Sequence, residues 1–304
     1  MSTAVAFSSY GGAEVLEAVE IDTLHPAAGQ VTVGVRSAGV QPFDVRVRRG
    51  DHRRWVPVSF PQLLGNEFAG VIEEVGRDTG EFEVGDDVMG FTYMRAYAEF
   101  VVAGVDGIVP KPPSMPWEEA GVLSGAGQTA HITLSELKVG EGDTVLVHAA
   151  AGGVGTFAVQ LAREWGATVI GTASERNHDY LRHLGATPVA YGPGLAERVR
   201  KLAPHGVDAA LDAIGGEAIP VSLELVGNKT RVGTIADHAG AAKYGVSTLG
   251  GVRTAGRLEE LVDLYERGRL QVHIQNAPPL RNAPQAHREV ETGHVRGKVV
   301  LVVG

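Results

Sequence analysis

The chain has 304 residues, 44% hydrophobic and 21% charged, which is length for about two domains with substantial cores. No apolar run nears the ~20 residues of a membrane span, and no basic-then-apolar leader opens the chain, so the expectation is a cytoplasmic protein with no membrane partner. A net charge of −9 argues against a nucleic-acid surface, and the zero cysteine count excludes disulfides, a thiolate nucleophile and cysteine-held zinc or iron–sulfur centres.

From Met1 to about Ala103 short β-rich runs alternate with glycine turns: Val31–Val35, Phe68–Ile72, Asp87–Met89 and Phe100–Val102. Helical periodicity is scarce, which predicts a mostly β domain with tight turns. Arg46, Arg48, Arg49, Arg53 and Arg54 form a local basic cluster, read either as a solvated loop or as a contact for an anionic substrate or cofactor. Val109–Pro113 reads as an extended linker. Ser114, Pro116, Glu118 and Glu119 then supply a cap, an early proline and first-turn acids for a helix.

The run Thr144-Val-Leu-Val-His-Ala-Ala-Ala-Gly-Gly-Val-Gly155 carries the most chemistry. Thr144–Val147 predicts a buried parallel strand. A small-residue turn follows, and Val154, Ala158, Leu161 and Trp165 then recur at helical spacing. Strand, glycine turn and helix in that order build a dinucleotide pyrophosphate site: Gly152 admits the phosphates, Gly155 admits the helix, and the helix N-terminus supplies N–H groups. Gly152, Gly153, Val154 and Gly155 are the candidate contacts, with Ala150 standing where the first glycine of the pattern is usual.

The βα alternation continues. Ala167–Ala173 predicts a second strand, followed by a helix burying Tyr180, Leu181 and Leu184. Thr187–Tyr191 predicts a third, followed by a helix with Leu195, Val199 and Leu202 on one face. Val207–Asp212 and Arg231–Ala236 supply further strands, and Leu258, Leu261, Val262 and Tyr265 mark another helix. The fold class is α/β, a doubly wound parallel sheet joined to a mostly β domain. After Leu270 the chain returns to β character, and Gly297–Val303 reads as a terminal strand able to pair with the first domain.

Cofactor choice is read at the end of the second strand. NAD-selective sites place an acid there, roughly 20 residues past the turn, for the ribose 2′-hydroxyl. Here Ala173 stands at that point, followed by Ser174, Glu175 and Arg176. Ser174 and Arg176 can donate to a 2′-phosphate, which predicts NADP over NAD; otherwise Ser174 caps the next helix and Arg176 is a solvated charge, while Glu175 opposes the preference. Gly233-Thr-Ile235, at a later strand end, completes the candidate set with Thr234 and Ile235, on the nicotinamide side. The 11 histidines are scattered, with no ligand spacing, so no metal is expected.

Across nearly its whole length the chain resembles a medium-chain dehydrogenase/reductase of the zinc-free quinone oxidoreductase group. The resemblance rests on Ala38-Gly-Val-Gln-Pro-Phe-Asp44, Leu64-Gly-Asn-Glu-Phe-Ala-Gly-Val-Ile-Glu-Glu-Val-Gly76, Val84-Gly-Asp-Asp-Val-Met-Gly90, Tyr97–Ala103, the Ala150–Gly155 turn and Gly293–Leu301. It implies a GroES-like catalytic domain of residues 1–122 plus 271–304, with a Rossmann domain of residues 123–270 inserted. Zinc-dependent relatives carry a cysteine at the position of Gln41 and a histidine at that of Asn66, so only Glu67 of that set is kept, and alcohol dehydrogenation loses its Lewis acid.

The resemblance implies hydride transfer from NADPH, its nicotinamide in the cleft between domains, to a quinone or to the C=C bond of an enone. Tyr191 matches a family position near the adenosine ribose or phosphate, and is otherwise a half-buried strand-end tyrosine. Gln41 and Thr129 match positions that contact cofactor and substrate, and Arg46 stands where some relatives have tyrosine. Each has a bland alternative: loop scaffolding for Gln41 and Thr129, solvent exposure for Arg46. Asp44 and Glu67 read first as structural hydrogen-bond acceptors. Two other functions stay open, an enoyl-thioester reductase of a biosynthetic pathway and a non-catalytic NADPH-binding redox sensor. A homodimer is common in the family.

Overall fold

The computed structural model describes residues 1–22 and 24–304. They form two units. The first comprises Met1–Gly125, Arg253–Glu266 and Val272–Gly304; the second comprises Ala126–Val252 and Arg267–Gln271. The helix Ala255–Glu266, expected inside the nucleotide domain, groups with the first unit, where Leu258 and Leu261 are fully buried and the helix packs on the strand Ile108–Pro110.

The first unit is built on the long strand Gln30–Val40. It pairs antiparallel with Glu67–Val75, with Phe100–Gly104 and with the terminal strand Lys298–Val302, where Val299 lies opposite Val40. A smaller sheet joins Ser2–Phe7 to Leu16–Ile21 and Gln62–Leu63. Val31, Val33, Phe68, Ile72, Val88, Val299 and Leu301 form the core between these layers.

Two α-helices in this unit, Ala283–Glu291 and Pro42–Arg49, lack a counterpart in the sequence reading. Ala283–Glu291 stands where β character is expected after Leu270, and its buried face is Ala283, Ala286 and His287, with no long apolar stripe. Pro42–Arg49 is helical, opened by proline at its first turn and closed by Gly50 in the left-handed region at φ 81°. It carries part of the basic cluster, and the solvated-loop reading fails at Arg48, which is fully buried with its guanidinium on Glu291.

The second unit is a six-stranded parallel sheet. Its spatial order is Thr187–Ala190, Thr168–Ala173, Thr144–Val147, Ala209–Asp212, Val232–Thr234 and Ser247–Thr248. The order runs outward from Thr144–Val147 in one direction and then resumes on its other side at Ala209–Asp212. That reversal makes the C-terminal end of Thr144–Val147 the switch point, where an open α/β sheet forms its ligand crevice.

Strand ends differ from expectation for local reasons. Val207 forms only an isolated bridge to Val226, so the fourth strand starts at Ala209. The fifth stops at Thr234 because its hydroxyl accepts the N–H groups of Ala236 and Asp237 and turns the chain. Leu181 and Leu184 are buried as expected, whereas Tyr180 is only half-buried, its hydroxyl 3.1 Å from Thr156 Oγ1. Leu202, the last residue of its helix, is 43% exposed and does not join Leu195 and Val199 in the core.

Candidate active site

The glycine turn stands at the switch point. Thr144–Val147 ends, His148 donates its N–H to Leu211 O, and Ala149 takes a left-handed conformation at φ 54°. The helix Gly153–Glu164 then starts from Gly152, whose lack of a side chain leaves the first-turn N–H groups without a side-chain cap. Gly155 packs so tightly that a Cβ there would lie 2.3 Å from Ala149 O and 2.6 Å from Ala150 Cα. A glycine-lined helix start of this kind fits a dinucleotide pyrophosphate, and Gly152, Gly153, Val154 and Gly155 are the residues that would present backbone to it.

Beside this turn, the strand Thr168–Ala173 ends without an acid. Ser174 follows half-buried, its Oγ accepting only a 3.4 Å contact from Asn177, and Glu175 and Arg176 are exposed on a 3-10 turn. Tyr191 is 59% exposed just past the third strand. Its loop is held by an arginine the sequence reading passed over: Arg198 donates to the carbonyls of Ala190, Gly192 and Pro193.

On the other side of the switch point, Thr234 is fully buried and its hydroxyl is consumed inside the protein. It donates to Asp212 Oδ2 at 2.7 Å and accepts from Ala236 and Asp237. Asp212 also accepts from Ile214 N and Gly215 N, so one buried carboxylate organises both strand ends. Ile235 is half-buried and donates its N–H to Asp212 O. What this edge offers outward is main chain and the Ile235 side chain. His148, 2.9 Å from Ser222 Oγ, is held down to about 4 by burial, so it is neutral.

In the first unit, Gln41 precedes the helix Pro42–Arg49 and is 9% exposed. Its Nε2 donates to Glu67 Oε1 at 2.8 Å, and the same oxygen accepts from Lys298 Nζ at 2.9 Å. Glu67 Oε2 accepts from Gly125 N, and both charged partners are buried. Asp44 lies behind, accepting from Gln41 N, Gly65 N, Asn66 Nδ2 and the Tyr97 hydroxyl. Burial pushes its carboxyl up to about 6, against the opposing pull of the Gln41 and Gly65 N–H groups and the Lys298 charge. Tyr97, raised by burial and by Asp44, lies 3.3 Å from His287 Nε2, and burial with the Arg48 charge lowers His287 to about 3.

Asn66, at the other zinc-ligand position of the resemblance, is equally committed. It donates to Asp44, accepts from Met94 N, and its carbonyl accepts from Arg253 Nη1 at 3.0 Å. Among the described residues no group of three or more His, Cys, Asp or Glu side chains could hold a metal. Arg46 is half-buried in the last turn of its helix. Thr129 belongs to the second unit and is half-buried on the helix Trp117–Glu136.

The structure thus joins Gln41 to Lys298, Glu67 and Asp44, a grouping whose basic member the sequence reading missed. It also gathers rings that were not singled out: Phe43 lies 5.7 Å from His52 and 6.4 Å from Tyr93, and His52 lies 6.2 Å from Trp55. Trp55 and Tyr93 are 72% and 60% exposed. The signal available was aromatic residues close to the Gln41 and Asn66 motifs, Phe43 on the helix and His52, Trp55 and Tyr93 in turns.

Comparison with known proteins agrees with this architecture. Residues 27–113 match the alcohol dehydrogenase GroES-like domain, and residues 184–301 match the zinc-binding dehydrogenase model. A quinone oxidoreductase of Pseudomonas aeruginosa is 30% identical over 99% of this chain and 100% of its own length. The polyketide synthase GfsB of Streptomyces halstedii is 34% identical over 90% of this chain, which spans 5% of that protein's length. Among solved structures, the CurK enoyl reductase superposes with a TM-score of 0.89 at 28% identity, covering 100% of this chain and 99% of that one. The Escherichia coli quinone oxidoreductase complexed with NADPH gives 0.88 at 26% identity, covering 99% of each chain. The chain is an oxidoreductase of the medium-chain dehydrogenase/reductase family and belongs to its zinc-free quinone oxidoreductase group.

Proposed function

We propose that this protein is an NADPH-dependent, zinc-independent reductase acting on a quinone or on the C=C bond of an enone. The observation that carries the reading is the glycine-started helix at the switch point, beside a second strand that ends at Ala173, with no acid at its last residue, and is followed by Ser174, Glu175 and Arg176. Gly152, Gly153, Val154 and Gly155 hold the pyrophosphate, Ser174 and Arg176 the 2′-phosphate, Tyr191 the adenosine side, and Thr234 and Ile235 the nicotinamide side. NADPH supplies the hydride when bound.

The protein's own work is to bind and orient the acceptor and to stabilise the charge that collects on its oxygen. Gln41 keeps one N–H on Glu67, and its second N–H is the donor to that oxygen. Arg46, one turn along the helix, adds positive charge, and Thr129 is a further candidate contact for cofactor or substrate. The partly exposed rings of Phe43, His52, Trp55 and Tyr93 suit a flat acceptor. The likeness to the CurK enoyl reductase and the exposed Arg49, Arg53 and Arg54 support a second reading, reduction of an enoyl thioester carried on a phosphate-bearing group.

The test is oxidation of NADPH and NADH by the purified protein with ortho- and para-quinones, enones and enoyl-coenzyme A thioesters. Turnover with quinones or simple enones supports the first reading, and turnover confined to thioesters supports the second. Tight NADPH binding with no turnover of any acceptor overturns both.

A further inference from the structure

Glu67 is fully buried, and both of its oxygens are occupied by donors: Gln41 Nε2 and Lys298 Nζ on Oε1, and Gly125 N on Oε2. The fold makes room for this arrangement at two glycines. A Cβ on Gly39 would lie 2.2 Å from Glu67 Oε1, and one on Gly125 would lie 2.1 Å from Gln41 Nε2. The last strand then delivers Lys298, itself 5% exposed, by pairing alongside Gln30–Val40.

An ionised carboxylate accepts hydrogen bonds and cannot donate them. Glu67 as an anion therefore dictates that Gln41 turns its NH₂ toward it and not its carbonyl. A neutral carboxyl would donate as readily as accept, and the Gln41 carboxamide could then take either orientation. A buried carboxylate stays ionised only when paired, and Lys298 is the cation in contact with it. Arg253 is close enough to act on Glu67 but spends its Nη1 on the Asn66 carbonyl.

We propose that Lys298 is a positioning residue for the reduction: by keeping Glu67 anionic it locks the Gln41 carboxamide with its second N–H facing the acceptor oxygen. The inference rests on Gln41 being the acceptor's donor under the reading above. It concerns the acceptor alone and leaves the nucleotide contacts untouched.

The test compares three variants by steady-state NADPH oxidation with one para-quinone and one enone, alongside thermal melting. Glu67→Gln/Lys298→Met replaces the buried pair with neutral side chains of similar size, a change that often leaves stability intact. Its acceptor kcat/KM is expected to fall about tenfold to a hundredfold at unchanged KM for NADPH. Lys298→Arg keeps the cation and is expected within about threefold of the parent. Should the double variant not fold, Lys298→Gln, which keeps an N–H for Glu67 and removes only the charge, carries the same expectation as the double variant.

Parental acceptor kinetics in the neutral variant, a loss that falls on the KM for NADPH, or a Lys298→Arg loss equal to the neutral variant's overturns the proposal. Gln41→Leu separates the two layers. If Gln41→Leu is fully active, the underlying reading of Gln41 fails; if it is crippled while the neutral variant is fully active, only the role of Lys298 fails.

Discussion

Ala150 and Gly171 share one space: a Cβ on Gly171 would lie 2.7 Å from the Ala150 methyl. Ala150 stands where a dinucleotide turn usually has its first glycine, and the missing side chain has moved to the neighbouring strand. The turn keeps its close approach, because the volume added at one position is removed at the other. Gly171→Ala should therefore destabilise the protein by about 1–3 kcal/mol through overpacking. Adding Ala150→Gly should return part of that loss, the remainder reflecting Leu181 Cδ1 at 3.1 Å from the same point. Urea unfolding of the two singles and the double measures the coupling, and strictly additive losses would refute it.

Arg176 and Ser174 follow a strand that ends without an acid, the basis for the proposal that they discriminate the 2′-phosphate. Arg176→Ala should raise the KM for NADPH by about tenfold to a hundredfold, the equivalent of a charged hydrogen bond worth about 1.5–3 kcal/mol, and leave that for NADH nearly unchanged. Glu175→Gln should move the ratio the other way by removing a nearby like charge. Equal effects of Arg176→Ala on both nucleotides would sink the phosphate assignment.

The nucleotide half of this architecture was legible because its signals are local. Thr144–Val147 is a continuous apolar run closed by small residues, and the strand has those bounds in the structure. The helix Pro42–Arg49 was not legible, because the face it buries includes Asp44 and Arg48, so no apolar stripe exists to be read. Its cues were Pro42 and Asp44 in the first turn, the arginines in the last, and Gly50 after it. The sequence expectation for Asp44 and Glu67 is a structural acceptor role, and both accept several hydrogen bonds. Lys298 and Glu67, 231 positions apart, and Tyr97 and His287, 190 apart, meet only through long-range packing that no spacing rule encodes.

Acid stability should follow three buried groups of opposite sense. Asp44 titrates near 6 in the folded protein against 3.8 when free, so its contribution is present in acid and is lost as pH rises through about 6. His287 at about 3 and His148 at about 4 stay neutral when folded, so their contributions are present above the usual 6.5 and are lost as pH falls. Two histidines outweigh one carboxyl, and the melting temperature should rise between about pH 4.5 and 6. Asp44→Asn removes the opposing contribution and should steepen that rise, although its amide meets four donors and lowers the plateau. A flat or falling melting temperature over that window would refute the balance.

Arg48 is the largest fully buried side chain, and only one end of it is used. Its Nη2 bonds Glu291, while Nε and Nη1 have no hydrogen-bond partner among the described residues. A buried guanidinium with two unmet donors is costly, and its charge also lowers the basicity of His287. Arg48→Met fills a similar volume with a flexible apolar chain, and Glu291, 25% exposed, can return to solvent. Glu291→Ala does the opposite: it leaves the cation buried and alone, at a cost of about 3–5 kcal/mol. The expected pattern is therefore asymmetric, with the melting temperature held or raised in Arg48→Met and sharply lowered in Glu291→Ala. An NMR titration of His287 should show its pKa rising in Arg48→Met as the neighbouring charge is removed. Comparable destabilisation by the two substitutions would mean that the ion pair is a net contributor to the fold.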